Sequence, residues 1–421
     1  MLRRLACILA YVLAFAVPLY AARVQVVVAL RSSSTKSSAV VSALHDATRL
    51  DNWSPLAFSA EIDDADVERL RSDPRVRAVS VDTGGHAALR ESLPLIGVDR
   101  VHALGFEGDG ITVAIVDSGI DLTNPDFADR IVAEQCFCDN LGTGCCPNGA
   151  TEQSGPGAAR DDNGHGTNVA GILAGGGASA PAGVAPHAHI VAVRALDRDA
   201  RFASFGQVYR ALSWIADTRP DVRVINLSLG TSRLFATSEC NADALALALA
   251  PVVARLRKRG VLITASSGNE GSTSGVTMPA CMTDVLGIGA TWDHDGNYPT
   301  PFNCTDANAR VDDVTCFSNA TDAVDLVAPG APITASRRGG GEVTYYGTSM
   351  AAPHVAGTIA LLLEASGGLD ADALEDVLKE TGRPVPDHRT NRVFPRIDAA
   401  AALAAVQADR ARYPRRRAVH H

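Results

Sequence analysis

The sequence predicts an α/β protein of three layers, a central and mostly parallel sheet with helices on both faces, preceded by a small α+β unit. Three observations carry this expectation. From about residue 92 the runs ITVAIVD (111–117), HIVAVRAL (189–196), VRVINLSL (222–229), GVLITAS (260–266) and DVLGIGAT (284–291) are almost continuously apolar, as strands covered on both faces must be. Helical periodicity at 205–217 and 242–259 separates them, and such alternation builds a parallel sheet. Before residue 92 the texture differs: short strands alternate with short polar helices.

The elements follow in order. Residues 1–22 read as an export signal, with Arg3 and Arg4 ahead of the apolar stretch LACILAYVLAFAV (5–17) and small residues up to Ala22 for cleavage after Ala21 or Ala22. The apolar stretch is short for a membrane span. Residues 23–90 form the small unit. Strands are expected at 24–30, 57–62 and 76–82, a helical stretch around 37–50 and an acid-capped helix at 63–73, in a β-α-β-β-α-β-like pattern. A Gly84-Gly85 break closes it. Residues 91–408 form the main domain, and 409–421, with RARYPRRR at 410–417, a basic solvated tail.

Composition limits the function classes. The chain has 421 residues, 46% hydrophobic and 20% charged, and a mean hydropathy of +0.06. That suffices for a large core and excludes wholesale disorder. A net charge of −9 offers no basic face to nucleic acid. The one long apolar stretch lies at the start, so no membrane partner is expected once the signal is removed. Nine cysteines less Cys7 leave eight, an even number suited to an oxidising compartment. Cys304 with Cys316 and Cys240 with Cys281 are the expected pairs. Cys136, Cys138, Cys145 and Cys146 lack the C-x2-C spacing of common zinc sites, and their pairing cannot be read from spacing.

Chemistry gathers where these strands end. Asp117 closes the first apolar strand. His165 stands between glycines in Gly164-His165-Gly166-Thr167, at the start of a helix of small residues. Ser349 opens the apolar helix that continues through AAPHVAGTIALLL (351–363), and Asn269 follows a strand in SSGNEG (266–271). Each alone has an ordinary reading: a turn former, a structural histidine, a helix cap. Together they are an orienting carboxylate, a base, a nucleophile and an oxyanion donor, in one of the known triad orders.

The stretches AIVDSGID (114–121), NGHGTNVAG (163–171), SSGNEG (266–271) and GTSMAAPHVAG (347–357) resemble the four signatures of the subtilisin-like serine proteases, and the similarity runs over roughly 92–406. The resemblance implies a subtilisin-like fold and a secreted, extracellular or periplasmic, serine endopeptidase. It implies a catalytic Asp117, His165 and Ser349, with Asn269 in the oxyanion hole. Residues 23–90 resemble the ferredoxin-like propeptide, an inhibitor and folding aid removed by self-cleavage near Leu89 to Leu93. The partners implied are polypeptide substrates and the chain's own propeptide, with the enzyme a monomer.

Ser228-Leu229-Gly230 and Ser266-Ser267-Gly268 match the two walls of the specificity pocket, and Thr277 its floor, where many relatives have glycine. A shallower pocket for medium apolar side chains follows, with Glu270 at the rim making basic residues acceptable. Catalysis needs no cofactor and no metal. Asp126 matches a family calcium-ligand position, so a structural calcium is left open, although the loop 172–186 lacks the usual Asn ligand. Asp161 and Asp162 read as ion ligands or, better, as a solvated acidic turn. Asn168 replaces a second histidine common in relatives, and His354 reads as a buried, hydrogen-bonded histidine. A precursor-processing enzyme or peptide ligase on the same fold is the alternative, and a catalytically dead peptide-binding protein a weaker one.

Overall fold

The computed structural model describes residues 23–32, 34–42, 44, 47–54, 57–81, 89 and 91–408. The expected signal at 1–22, the Gly84-Gly85 break and the tail at 409–421 lie outside the described residues. The chain divides into two compact units, 1–86 and 87–421.

In the first unit the strands Arg23–Leu30, Thr48–Ser54, Ala57–Asp63 and Val76–Val81 form an antiparallel sheet in the spatial order second, third, first, fourth. With the helices Ser37–Val41 and Val67–Arg71, this is the ferredoxin-like arrangement. Val26, Val28, Phe58, Ala60 and Ile62 recur at every second position and turn one face of the sheet onto Val40, Val67 and Leu70. The expected helix over 37–50 is corrected here. It stops at Val41, and Thr48–Ser54 is a strand. Pairing with the apolar strand Ala57–Asp63 overrides the local preference of TRLDNWS.

The second unit is built on a ten-stranded sheet. Its spatial order is Arg383–Asp387, Arg392–Arg396, Leu326–Ala331, Leu286–Trp292, Leu262–Ser266, Val222–Leu227, Thr112–Asp117, His189–Arg194, Ile131–Phe137 and Glu152–Ser154. All neighbours are parallel except at the two edges. Alternation along one strand shows the layering: Val113 and Ile115 enter one hydrophobic core, Ala114 and Val116 the other. The first core lies under the helices His165–Ala174 and Thr348–Ser366, the second under Gly206–Thr218 and Ala244–Lys258.

Five sheet strands lie outside the apolar runs named above, the edge strands Glu152–Ser154 and Arg383–Asp387 among them. Ile131–Phe137 holds Glu134 and Gln135, Leu326–Ala331 contains Pro329-Gly330, and Arg392–Arg396 is charged and ends on Pro395-Arg396. Tertiary pairing alone makes them strands.

The strand Thr112–Asp117 lies between Val222–Leu227 and His189–Arg194. From it the chain first builds toward one edge of the sheet and later returns to build toward the other. This reversal opens a crevice at the carboxyl ends of the strands, and Asp117 sits at its mouth. The disulfides are Cys136–Cys146, Cys138–Cys145, Cys240–Cys281 and Cys304–Cys316, so both expected pairs form. Among the described residues, no helix is long and apolar enough to cross a membrane.

Candidate active site

Asp117 is fully buried at its strand end. Its Oδ1 accepts hydrogen bonds from His165 Nδ1 and from the Ser118 N–H, both at 2.7 Å. Its buried Oδ2 accepts from no protein donor. Because Nδ1 donates to a carboxylate, the neutral imidazole carries its proton there and leaves Nε2 as the free base. His165 begins its helix one residue before Gly166, where a Cβ would lie 2.1 Å from the Gly119 carbonyl oxygen. Only glycine lets this helix start approach the Asp117 turn so closely.

A second carboxylate fastens the two segments together. Asp161 is buried and accepts from Ser118 Oγ (3.0 Å), the Asn163 and Gly164 N–H groups (2.9 Å each), and the N–H and hydroxyl of Thr167 (3.1 and 2.5 Å). Ser118 Oγ in turn accepts from the Gly166 N–H. The expected solvated acidic turn is therefore corrected for Asp161, which is a saturated internal staple; Asp162 is exposed and pairs with the buried Arg194 at 3.0 Å. Burial alone would lower the His165 pKa. The charge and hydrogen bond of Asp117, with the charge of Asp161 behind it, outweigh burial and raise it above the ordinary imidazole value.

Ser349 is the second residue of its helix, so its N–H has no intrahelical acceptor. Ser349 and His165 line one cavity of about 330 Å³ together with Ser228, Leu229 and Gly230. The Ser349 hydroxyl donates to the Ser228 carbonyl at 3.3 Å rather than to His165. Ser228 Oγ returns a bond to the Ser349 carbonyl at 2.7 Å, so the pair holds the serine's backbone in place. A staggered rotation about χ1 moves the hydroxyl between partners, and such bonds are often long or misaligned before substrate arrives. Asn269 Oδ1 accepts from both the N–H and the hydroxyl of Thr348 at 2.9 Å. That fixes the amide and keeps its N–H groups as the unspent side.

The pocket residues also converge. Thr277 Oγ1 donates to the Ser266 carbonyl at 2.9 Å, the Thr277 N–H to the Ser267 carbonyl at 3.0 Å, and Ser266 Oγ to the Leu229 carbonyl at 3.4 Å. A Cβ on Gly230 would meet Thr277 Oγ1 at 2.3 Å, and one on Gly268 would meet Thr277 Cγ2 at 2.7 Å. Thr277 thus stands between the two walls and fills the space there. Sequence reading missed Asn319, which is fully buried and knits one wall. Its amide donates to the Ser267 carbonyl (2.9 Å) and to Glu270 (2.7 Å), and its Oδ1 accepts from the Ser272 N–H (2.8 Å). Asn168 donates to the Val343 carbonyl. His354 is buried between the Met350 carbonyl and Ser92 Oγ, and burial lowers its pKa to about 4.

Asp126 does not fit the calcium left open by the sequence. Its carboxylate accepts from the Ala178 and Ser179 N–H groups (2.7 Å each), Ser179 Oγ (2.8 Å) and Ser336 Oγ (2.7 Å). The Arg130 guanidinium donates to the carbonyls of Ala174 and Asp126. Calcium needs six to eight free oxygen acceptors; here donors already occupy them, and a guanidinium supplies the positive charge. Despite burial, these donors hold the Asp126 carboxyl below its usual value.

Comparison with known proteins agrees with this geometry. Residues 108–396 match the model of the subtilase family. The chain is 30% identical over 369 residues to Subtilisin-like protease 1 of Arthroderma otae, covering 82% of this chain and 66% of that protein. It is 31% identical over 315 residues to Subtilisin E of Bacillus subtilis, covering 73% and 70%. Among solved structures it resembles a cold-adapted subtilisin-like serine proteinase, with a TM-score of 0.53 and 28% identity over 69% of this chain and 90% of that one.

Proposed function

The chain belongs to the subtilase family, and on that footing we propose that it is a secreted serine endopeptidase, made as a self-processed zymogen and active as a monomer on polypeptides. The observation that carries this is the buried Asp117 carboxylate 2.7 Å from His165 Nδ1, with Ser349 lining the same cavity as His165.

In the reaction, His165 Nε2 takes the Ser349 proton as Oγ attacks a peptide carbonyl carbon, and Asp117 stabilises the imidazolium that forms. Negative charge moves onto the carbonyl oxygen, where the Asn269 amide and the Ser349 N–H donate to it. His165 then gives the proton to the leaving amine and the C–N bond breaks, leaving an acyl-serine. Water, deprotonated by the same imidazole, attacks the ester and releases the acid. Ser228–Gly230 and Ser266–Gly268 pair with an extended substrate backbone. Thr277 between them favours medium apolar side chains over Phe or Tyr. Residues 23–90 act as the propeptide, released by cleavage near Leu89 to Leu93.

The test is casein digestion by the wild-type chain and by Ser349→Ala. Loss of about 10⁶ in kcat with unchanged circular dichroism is expected, on the scale measured for a family relative. Full turnover in the variant would end the proposal.

A further inference from the structure

The mechanism leaves unused a cluster at the start of the short helix Ser92–Leu95. Glu91, Asp293 and His294 each offer one ligand atom, and the three atoms lie within 4.8 Å of one another. His294 Nδ1 is 2.7 Å from Asp293 Oδ1 and 3.3 Å from Glu91 Oε2.

A donor count shows what is missing. Asp293 keeps only 2% of its side chain exposed, and Glu91 Oε2 is closed to solvent and accepts no hydrogen bond. Two carboxylates therefore face one imidazole nitrogen, which has a single proton to give and directs it at Asp293. Among the described residues no arginine or lysine pairs with either carboxylate. The surroundings are firm. Tyr298 packs edge-on against the His294 ring at 5.2 Å and stacks on the fully buried Trp292 at 4.6 Å. The Asp293 N–H donates to the Ala331 carbonyl.

We propose that Glu91, Asp293 and His294 form a divalent-cation site of borderline, zinc-like character, which ties the segment at residue 91 to the end of the strand Leu286–Trp292. One nitrogen and two carboxylate oxygens are ligands that zinc accepts, and a cation entering among them replaces the proton on His294 Nδ1. The nitrogen ligand selects against calcium, which takes oxygen ligands. At Asp126 four protein donors occupy one carboxylate, whereas here one imidazole nitrogen serves two. A cation here anchors the stretch that contains the proposed propeptide junction, and Ser92, next in sequence, already bonds to His354 inside the Ser349 helix.

The experiment uses the full chain carrying Ser349→Ala, which prevents self-digestion, stripped of metal and titrated with zinc or calcium by calorimetry and thermal unfolding. One zinc per chain should bind and raise Tm, while calcium at the same concentration should leave Tm unmoved. Glu91→Gln, at a half-exposed position, and His294→Ala should each weaken zinc at least tenfold. Because the serine is already replaced, the result is independent of whether the protease reading holds. No zinc bound, an equal response to calcium, or unweakened zinc binding in folded Glu91→Gln would each overturn the site.

Discussion

The two halves of the proposed catalytic cleft are organised differently. The Asp117–His165 half is locked before any substrate arrives: Asp161 collects five donors from the turns on either side, and the imidazole is held at 2.7 Å. In the Ser349–Asn269 half the backbone is fixed but the reacting groups are not spent on each other. The hydroxyl rests on a backbone carbonyl, and Asn269 uses only its oxygen. The difference teaches which parts must be prepared in advance. A tautomer and a charge have to be set beforehand, whereas a hydroxyl rotor and an amide donor take their final partners from the substrate.

The first way to break the comparison is Asp117→Asn. It keeps the shape of the locked half but reverses the donor at His165, so kcat should fall by about 10⁴ with little change in KM. If the loss were only a few-fold, the locked half would be scaffolding. Asn269→Leu acts on the other half. It removes one donor to the developing oxyanion and should cost about 10²–10³ in kcat, the loss measured for the equivalent donor in a family relative, again with KM preserved. A loss confined to KM would move Asn269 from the reaction to binding. The smallest effect belongs to the pocket. Thr277→Gly empties the space between Gly230 and Gly268 and should raise the preference for Phe over Ala before the scissile bond by about 10–200-fold. An unchanged ratio in a peptide library would show that Thr277 is not the floor.

What the sequence made legible follows the same division. Asp117, His165, Asn269 and Ser349 each sit at the end of a strongly patterned strand or helix, so local motif and element boundary coincide. Asp161, Asn319 and Arg130 were not legible, or were misread, because their meaning lies in partners distant along the chain. Asn319 serves Ser267 and Ser272, and Arg130 serves Ala174. The nested bridges Cys136–Cys146 and Cys138–Cys145 likewise depend on a hairpin register that spacing alone does not contain. The strand Leu326–Ala331, with Pro329-Gly330 inside it, needed the sheet to define it.

The most direct test is the rate at which a fluorophosphonate labels the chain as a function of pH, with the tagged residue identified by mass spectrometry. Asp117 raises the His165 pKa, so the imidazole stays protonated, and useless as a base, to a higher pH than an ordinary histidine. Labelling should fall on Ser349 alone and decline as pH drops through a midpoint above 6.5, the ordinary value; in Asp117→Asn both the rate and the midpoint should fall. A tag on another residue, or a Ser349 rate indifferent to pH across this range, would contradict the account.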